Sequence, residues 1–263
     1  MSTISGLYNF RDTGGMPVRG GGTSRPHALF RSEALSALDA EGLQDLQDSP
    51  VRVVIDLRTE TERQMAPDRL PTGRAFSTVD LSIMQGATSD LIAGVAGAPG
   101  STPTTEQITA AMSRLPELGD LYVDMLRGGA DSFVRIARLI GASAGEEAPN
   151  AVLLHCTAGK DRTGVATALM LEAVGVERDA VIVDYAQSEK NLAGPWSDAM
   201  IGMIESYGIP VTPKLRTLAT GTPASAIEQA LAWTDAAGGA HEYLLSGGLS
   251  RAELDDLRRA LIA

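Results

Sequence analysis

The chain is poor in the residues that staple or metallate a fold. It has one cysteine, Cys156, and three histidines, His27, His155 and His241. A single thiol cannot close an intramolecular disulfide, and so small a set cannot build a Cys/His zinc constellation. Neither a metal nor a cofactor is expected. Basic residues are in the minority, with 22 Lys plus Arg against 33 Asp plus Glu and a formal net charge of -11. That balance excludes a basic nucleic-acid face. No apolar run approaches the length of a bilayer-spanning helix, so no integral membrane segment is expected. Residues Met1 to Phe10 also lack the basic start and continuous apolar stretch of a secretory signal. The expected compartment is the cytoplasm, with signal-less secretion left open.

What is present is ordinary for a soluble globular chain: 263 residues, 44% hydrophobic and 21% charged. Such a length buries a sizeable core without staples. No internal repeat or linker divides it, so one domain over residues 1–263 is expected.

Two short, nearly continuous apolar runs, Val51-Arg52-Val53-Val54-Ile55-Asp56-Leu57 and Ala151-Val152-Leu153-Leu154-His155, have the pattern of strands buried on both faces. Ala28 to Ser32 predicts a third strand. A helix is expected to start after Asp39, with Leu38 and Leu43 as a hydrophobic staple, and to end before Pro50. Two amphipathic helices follow either side of Gly128-Gly129. Others are expected over Thr163 to Ala173, Asp179 to Asn191 and Ala199 to Tyr207, and Ser250 with Glu253 forms a capping box for the last. Residues 85–105, rich in Gly, Ala, Ser, Thr and Pro, read as a mobile insertion. The fold class that follows is α/β, a single domain with a helical insertion.

The strand ending at His155 runs into Cys156-Thr157-Ala158-Gly159-Lys160-Asp161-Arg162-Thr163-Gly164 and then a helix. Strand, small-residue loop and helix N-terminus make an anion cradle, because successive backbone N–H groups converge and the helix dipole adds positive charge. Gly159 lets the backbone turn tightly. Arg162 offers a planar fork that matches two phosphate oxygens. The same field favours the thiolate of Cys156 over the thiol. A thiolate under a bound phosphate can attack phosphorus in line and form a phosphocysteine that water hydrolyses. A cysteine taken at random is more often a small buried hydrophobe. Here His before it, Gly three after, Arg six after and a hydroxyl residue seven after coincide by chance at a rate on the order of one in 100,000.

These residues resemble the signature of the cysteine-dependent protein tyrosine and dual-specificity phosphatases, and the longer His-Cys-x-Ala-Gly-Lys-Asp-Arg-Thr-Gly run resembles its bacterial, phosphoinositide-capable branch. Asn9-Phe10-Arg11-Asp12, Leu29-Phe30-Arg31-Ser32, Asp56-Leu57-Arg58 and Asp184-Tyr185 with Ser188 agree with that branch. The resemblance spans nearly the whole chain and weakens in 75–115 and 192–225. It implies a tyrosine-phosphatase-like central, mostly parallel sheet flanked by helices, with a helical lid insertion at about 191–220. The apolar residues there, Trp196, Met200, Ile201, Met203, Ile204, Tyr207 and Ile209, fit either a core stripe or that lid.

By the same resemblance Cys156 is the nucleophile and Arg162 binds phosphate. The loop through Thr157, Ala158, Gly159 and Lys160 forms the cradle, and Thr163 donates to the departing thiolate. His155 orients the loop. A general acid must protonate the leaving oxygen. Asp161 in the loop is the first candidate and Asp56, at the C-terminal edge of a neighbouring strand, the second. Lys160 is read as an extra cation for neighbouring phosphates, against the simpler reading of a solvated surface lysine. The expected function is hydrolysis of phosphotyrosine, extended to phosphoserine/threonine and phosphoinositides. The alternatives are a rhodanese-like sulfurtransferase, against which Asp161 and the Arg162-Thr163 pair argue, and a non-catalytic phosphate-binding module.

Overall fold

In a computed structural model the structure describes residues 3–83, 104, 106, 108, 110, 115–143 and 150–263. Of the insertion expected at 85–105, residues 85–103 and 105 lie outside the described residues.

Five strands form one sheet: β1 (Arg11–Asp12), β2 (Leu29–Ser32), β3 (Val51–Asp56), β4 (Ser77–Asp80) and β5 (Ala151–His155). Their order is β1-β2-β5-β3-β4, with β1 antiparallel to β2 and every other pair parallel. β5 is central and buried throughout. Successive side chains of a strand point to opposite faces, so Leu153 joins Phe30 and Val54 in one apolar cluster while Val152 and Leu154 join Leu29 and Ile55 in the other. A strand with two dry faces needs a continuous apolar run, which is why the sequence reads that way. The register puts Ser32 and Asp56 opposite His155, and Asp80 opposite Asp56. All four parallel strands therefore end at one edge, where ligands gather in such sheets.

Among the described residues the helices are α1 (Ala40–Asp48), α2 (Glu60–Met65), α3 (Leu118–Gly128), α4 (Ala130–Ala142), α5 (Arg162–Ala173), α6 (Arg178–Asn191), α7 (Pro195–Ser206), α8 (Pro213–Thr220), α9 (Ala224–Asp235), α10 (Ala240–Ser246) and α11 (Arg251–Leu261). The expected caps form. Asp39 accepts from Gly42 N at 2.8 Å, and Ser250 and Glu253 close a reciprocal capping box. Two elements carry too little pattern to be expected. β4 contains one apolar residue, Val79, in four and lies mostly exposed at the sheet edge, and α2 buries no residue.

α5 starts where the loop after β5 ends and is buried at every position from Arg162 to Glu172. α6, α9 and α10 pack around it. A helix enclosed on all sides has no polar stripe, and Val165, Ala166, Ala168, Leu169, Met170 and Leu171 supply its apolar surface. It ends at Gly175, whose φ of +99° is left-handed, with Val176 N donating to Leu171 O at 3.0 Å. In the 191–220 region α7 and α8 form a pair with Ile204, Ile209, Leu215 and Leu218 buried, while Met203 and Tyr207 stay exposed. No described helix is long and apolar enough to cross a membrane.

Leu154 has no exposed surface and sits between Arg31 and Ile55 in the sheet. Leu154→Ala is expected to cost about 2–5 kcal/mol, read as a lowered denaturant midpoint at unchanged slope.

Candidate active site

Cys156 follows β5 directly and is 2% exposed. The loop behind it is held by its carbonyls. Thr157 O accepts from Ala34 N at 3.1 Å, Ala158 O from Asn9 Nδ2 at 3.0 Å and Gly159 O from Arg31 Nη2 at 2.8 Å. Three consecutive carbonyls are thus turned outward, and the N–H groups of residues 157–161 find no protein acceptor among the described residues. That is the arrangement of an anion-binding nest. Gly159 has φ +67°, and a Cβ there would lie 2.2 Å from Ser32 O. Only glycine fits that close approach.

The groups that hold the carbonyls are themselves held. Arg31, 1% exposed, pairs with Asp184 Oδ2 at 2.6 Å, and Arg11 pairs with Asp184 Oδ1 at 2.7 Å. Burial pushes the Asp184 carboxyl up, but the two arginines overcome it and the net shift is downward. Burial, and then the charge of Arg31, lower Arg11 to about 10. Asn9 N donates to Glu33 Oε2 at 2.9 Å. The segments Asn9–Asp12 and Leu29–Ser32, known from sequence only as points of resemblance, are the outer wall of the cradle.

Arg162 is buried at the first turn of α5, and its guanidinium makes a two-pronged pair with Glu62, Nη1 to Oε2 and Nη2 to Oε1, both at 2.6 Å. Glu62 Oε1 also accepts from Thr157 Oγ1 at 2.7 Å, and Oε2 accepts from Thr59 N at 2.9 Å as half of a capping box. Burial raises the Glu62 carboxyl, and the bonds from Arg162, Thr157 and Thr59 outweigh it to hold the group down at about 2. One carboxylate therefore caps α2, orients the Arg162 guanidinium and ties down Thr157, the first residue after the cysteine. Sequence reading missed Glu62. Its signal was Thr59-x-x-Glu62, the same capping pattern read at Ser250 and Glu253.

Asp161 precedes α5 with its side chain 23% exposed, and its Oδ1 accepts from Lys160 Nζ at 2.8 Å. Lys160 is 1% exposed and donates also to Leu218 O at 2.9 Å and Gly221 O at 3.2 Å, at the C-terminal end of α8. Its three protons thus have three acceptors. It is no solvated surface lysine, and in this structure it extends away from the cradle. Thr163 is fully buried and its Oγ1 has no partner among the described residues.

Asp56 is placed differently. Its oxygens accept from Arg58 N and Nε at 2.9 Å and from Arg58 Nη2 at 2.7 Å. Arg58 Nη2 also lies 2.9 Å from Asp68 Oδ1, and His155 Nε2 lies 3.0 Å from Asp68 Oδ2. Asp56, Asp68 and His155 cluster within 4.8 Å, the spacing of metal ligands. The Arg58 guanidinium already bridges both carboxylates, so the trio reads as part of an ion-pair network.

The fold and this cradle define a class: a mostly parallel α/β protein with one buried thiol and an oriented arginine beside a nest of loop N–H groups. Comparison with known proteins narrows it. The model of the tyrosine phosphatase family matches residues 2–263. A Cupriavidus necator chain provisionally named a tyrosine-protein phosphatase is 31% identical over 92% of this chain and 82% of its own length. The triple specificity protein phosphatase PtpB of Mycobacterium tuberculosis is 32% identical over 72% of this chain and 69% of its own. A tyrosine-protein phosphatase of Nostoc commune is 31% identical over 65% of this chain and 52% of its own. The chain belongs to the tyrosine phosphatase family and is a protein-tyrosine phosphatase.

Two outcomes follow from the geometry. Gly159→Ala is expected to abolish both turnover and competitive inhibition by inorganic phosphate, since the added carbon collides with the β2 backbone. Glu62→Gln is expected to lower kcat/KM roughly tenfold or more, because it removes a charged partner from the Arg162 fork.

Proposed function

We propose that the chain hydrolyses phosphotyrosine through a phosphocysteine on Cys156. The observation that carries this reading is the row of N–H groups, residues 157–161, that have no acceptor among the described residues, beside a buried thiol and the Arg162 fork. Phosphate oxygens take the N–H groups and the remaining donors of Arg162, and the thiolate sulfur attacks phosphorus. As the S–P bond forms, the P–O bond to the leaving phenol breaks and its oxygen takes a proton from Asp161. Water then attacks phosphorus, its proton returns to Asp161, and the S–P bond breaks with the electron pair going back to sulfur. Thr163, in the first turn of α5 and with no hydroxyl partner among the described residues, donates to that sulfur.

Asp161 fits the acid role better than Asp56. It is partly exposed and keeps one oxygen free, whereas Asp56 is buried with both oxygens engaged by Arg58. A carboxyl group with both oxygens accepting from a guanidinium has no oxygen left to carry a proton, whereas Asp161 has its donors on Oδ1 alone. His155, buried and beside Asp68, positions the loop.

Phosphoserine/threonine and phosphoinositides are proposed as further substrates, on likeness to the relative named a triple specificity phosphatase. Lys160 does not support the lipid reading in this structure, since its ammonium is fully engaged. Its bonds to Leu218 O and Gly221 O support reading residues 191–220 as a lid anchored to the loop.

Cys156→Ser is expected to abolish phosphate release while retaining substrate binding; turnover surviving that change overturns the covalent route. With substrates of rising leaving-group pKa, Asp161→Asn should lose most on the poorest leaving group and Asp56→Asn should lose evenly, in step with lost thermal stability. A panel of phosphopeptides and phosphoinositides assayed for phosphate release ranks the substrate classes.

A further inference from the structure

Asp161 is tied to the interior by more than its neighbouring lysine. Tyr122, on α3 and wholly buried, places its hydroxyl 2.6 Å from Asp161 Oδ1. The same hydroxyl lies 2.8 Å from that of Tyr185 on α6, and the two rings meet edge to face with centroids 5.9 Å apart. A phenol has one proton, and a carboxylate only accepts. Tyr122 therefore donates to Asp161, and the bond between the phenols is donated by Tyr185. The chain has a direction, Tyr185 to Tyr122 to Asp161.

With Lys160 as second donor, Oδ1 has two bonds and Oδ2 has none among the described residues. Burial first, and then the charge of Asp161, push both phenols above their usual range, so both stay protonated donors at any working pH. Tyr185 is also fixed from behind. A Cβ on Gly164 of α5 would fall 2.9 Å from its Cδ2, so the ring lies directly on the helix that Asp161 precedes.

We propose that Tyr122 and Tyr185 are positioning residues that commit Oδ1 of Asp161 to the interior, leaving Oδ2 as the atom that gives and takes the proton and setting the pH range in which it does so. The inference rests on Asp161 as the general acid. Neither tyrosine gives up its own proton. In the first step the proton leaves Oδ2 for the leaving oxygen, and in the second a water proton returns to it. Each donated bond favours the carboxylate over the acid, so removing one keeps Asp161 protonated to higher pH.

Other charges face this group from several elements. Lys160, Arg162 and Cys156 lie in its own loop and helix start, and Glu62 of α2 reaches it through Arg162. Arg31 of β2 and Glu189 of α6 act on Tyr185. All of these are unchanged by removing a phenolic oxygen.

The test is the pH profile of kcat/KM on phenyl phosphate for the full chain, Tyr122→Phe, Tyr185→Phe and Asp161→Asn, each with a thermal melt. Tyr122→Phe is expected to move the alkaline limb up by about one pH unit, the effect of one hydrogen bond to a charged group. Tyr185→Phe is expected to move it less, in the same direction, because it only weakens Tyr122 as a donor. The acid limb, set by the substrate's own phosphate, should stay in place. If Asp161→Asn removes the alkaline limb but neither tyrosine variant moves it, the proposal fails while the general-acid reading stands. If the alkaline limb persists in Asp161→Asn, the general-acid reading itself falls and takes the proposal with it. Should Tyr122→Phe fail to fold, Tyr185→Phe decides alone, since its hydroxyl does not touch Asp161.

Discussion

Everything at the site depends on keeping the carbonyls of Thr157, Ala158 and Gly159 turned away from Cys156. A peptide unit is a rigid dipole, so turning its oxygen outward turns the next N–H inward. The three acceptors are satisfied by a backbone N–H, an amide and a guanidinium from the N-terminal part of the chain. A buried guanidinium needs a counter-charge, which explains Asp184, and a second arginine on the same carboxylate completes the set.

The acidic side chains divide by what surrounds them. Glu62 and Asp184 face arginines and are held charged, Asp56 is locked by Arg58, and Asp161 alone among these keeps one oxygen open. A net charge of -11 across the chain therefore says little about the cradle, where Arg162 and the loop N–H groups set the local field. More distant surface charges are screened beyond roughly 8 Å at physiological salt.

Much of this was legible in the sequence, and the gaps have physical reasons. β3 and β5 were visible because both faces are dry, and α1 and α11 because their caps are local. Cys156, Gly159 and Arg162 stand in one loop with fixed spacing. Glu62 and Tyr122 meet the loop across 100 and 39 residues, and Tyr185 joins through Tyr122, from which it is 63 residues away; no local pattern encodes such meetings. The burial of Lys160 was hidden for a related reason: the carbonyls that accept from it, Leu218 O and Gly221 O, belong to a helix end 58 and 61 residues downstream.

The bonds from Asn9 to Ala158 and from Arg31 to Gly159 close loops of 149 and 128 residues. Contacts of that span form late, because chain entropy opposes them until the intervening elements are in place. β5 is itself paired only with the distant β2 and β3, so the loop that follows it has free carbonyls and no converged N–H groups until those strands are in place. Until β2 docks against β5 the N–H groups beside Cys156 have nothing to hold them converged, so the cradle is a property of the finished topology rather than of the segment that carries it.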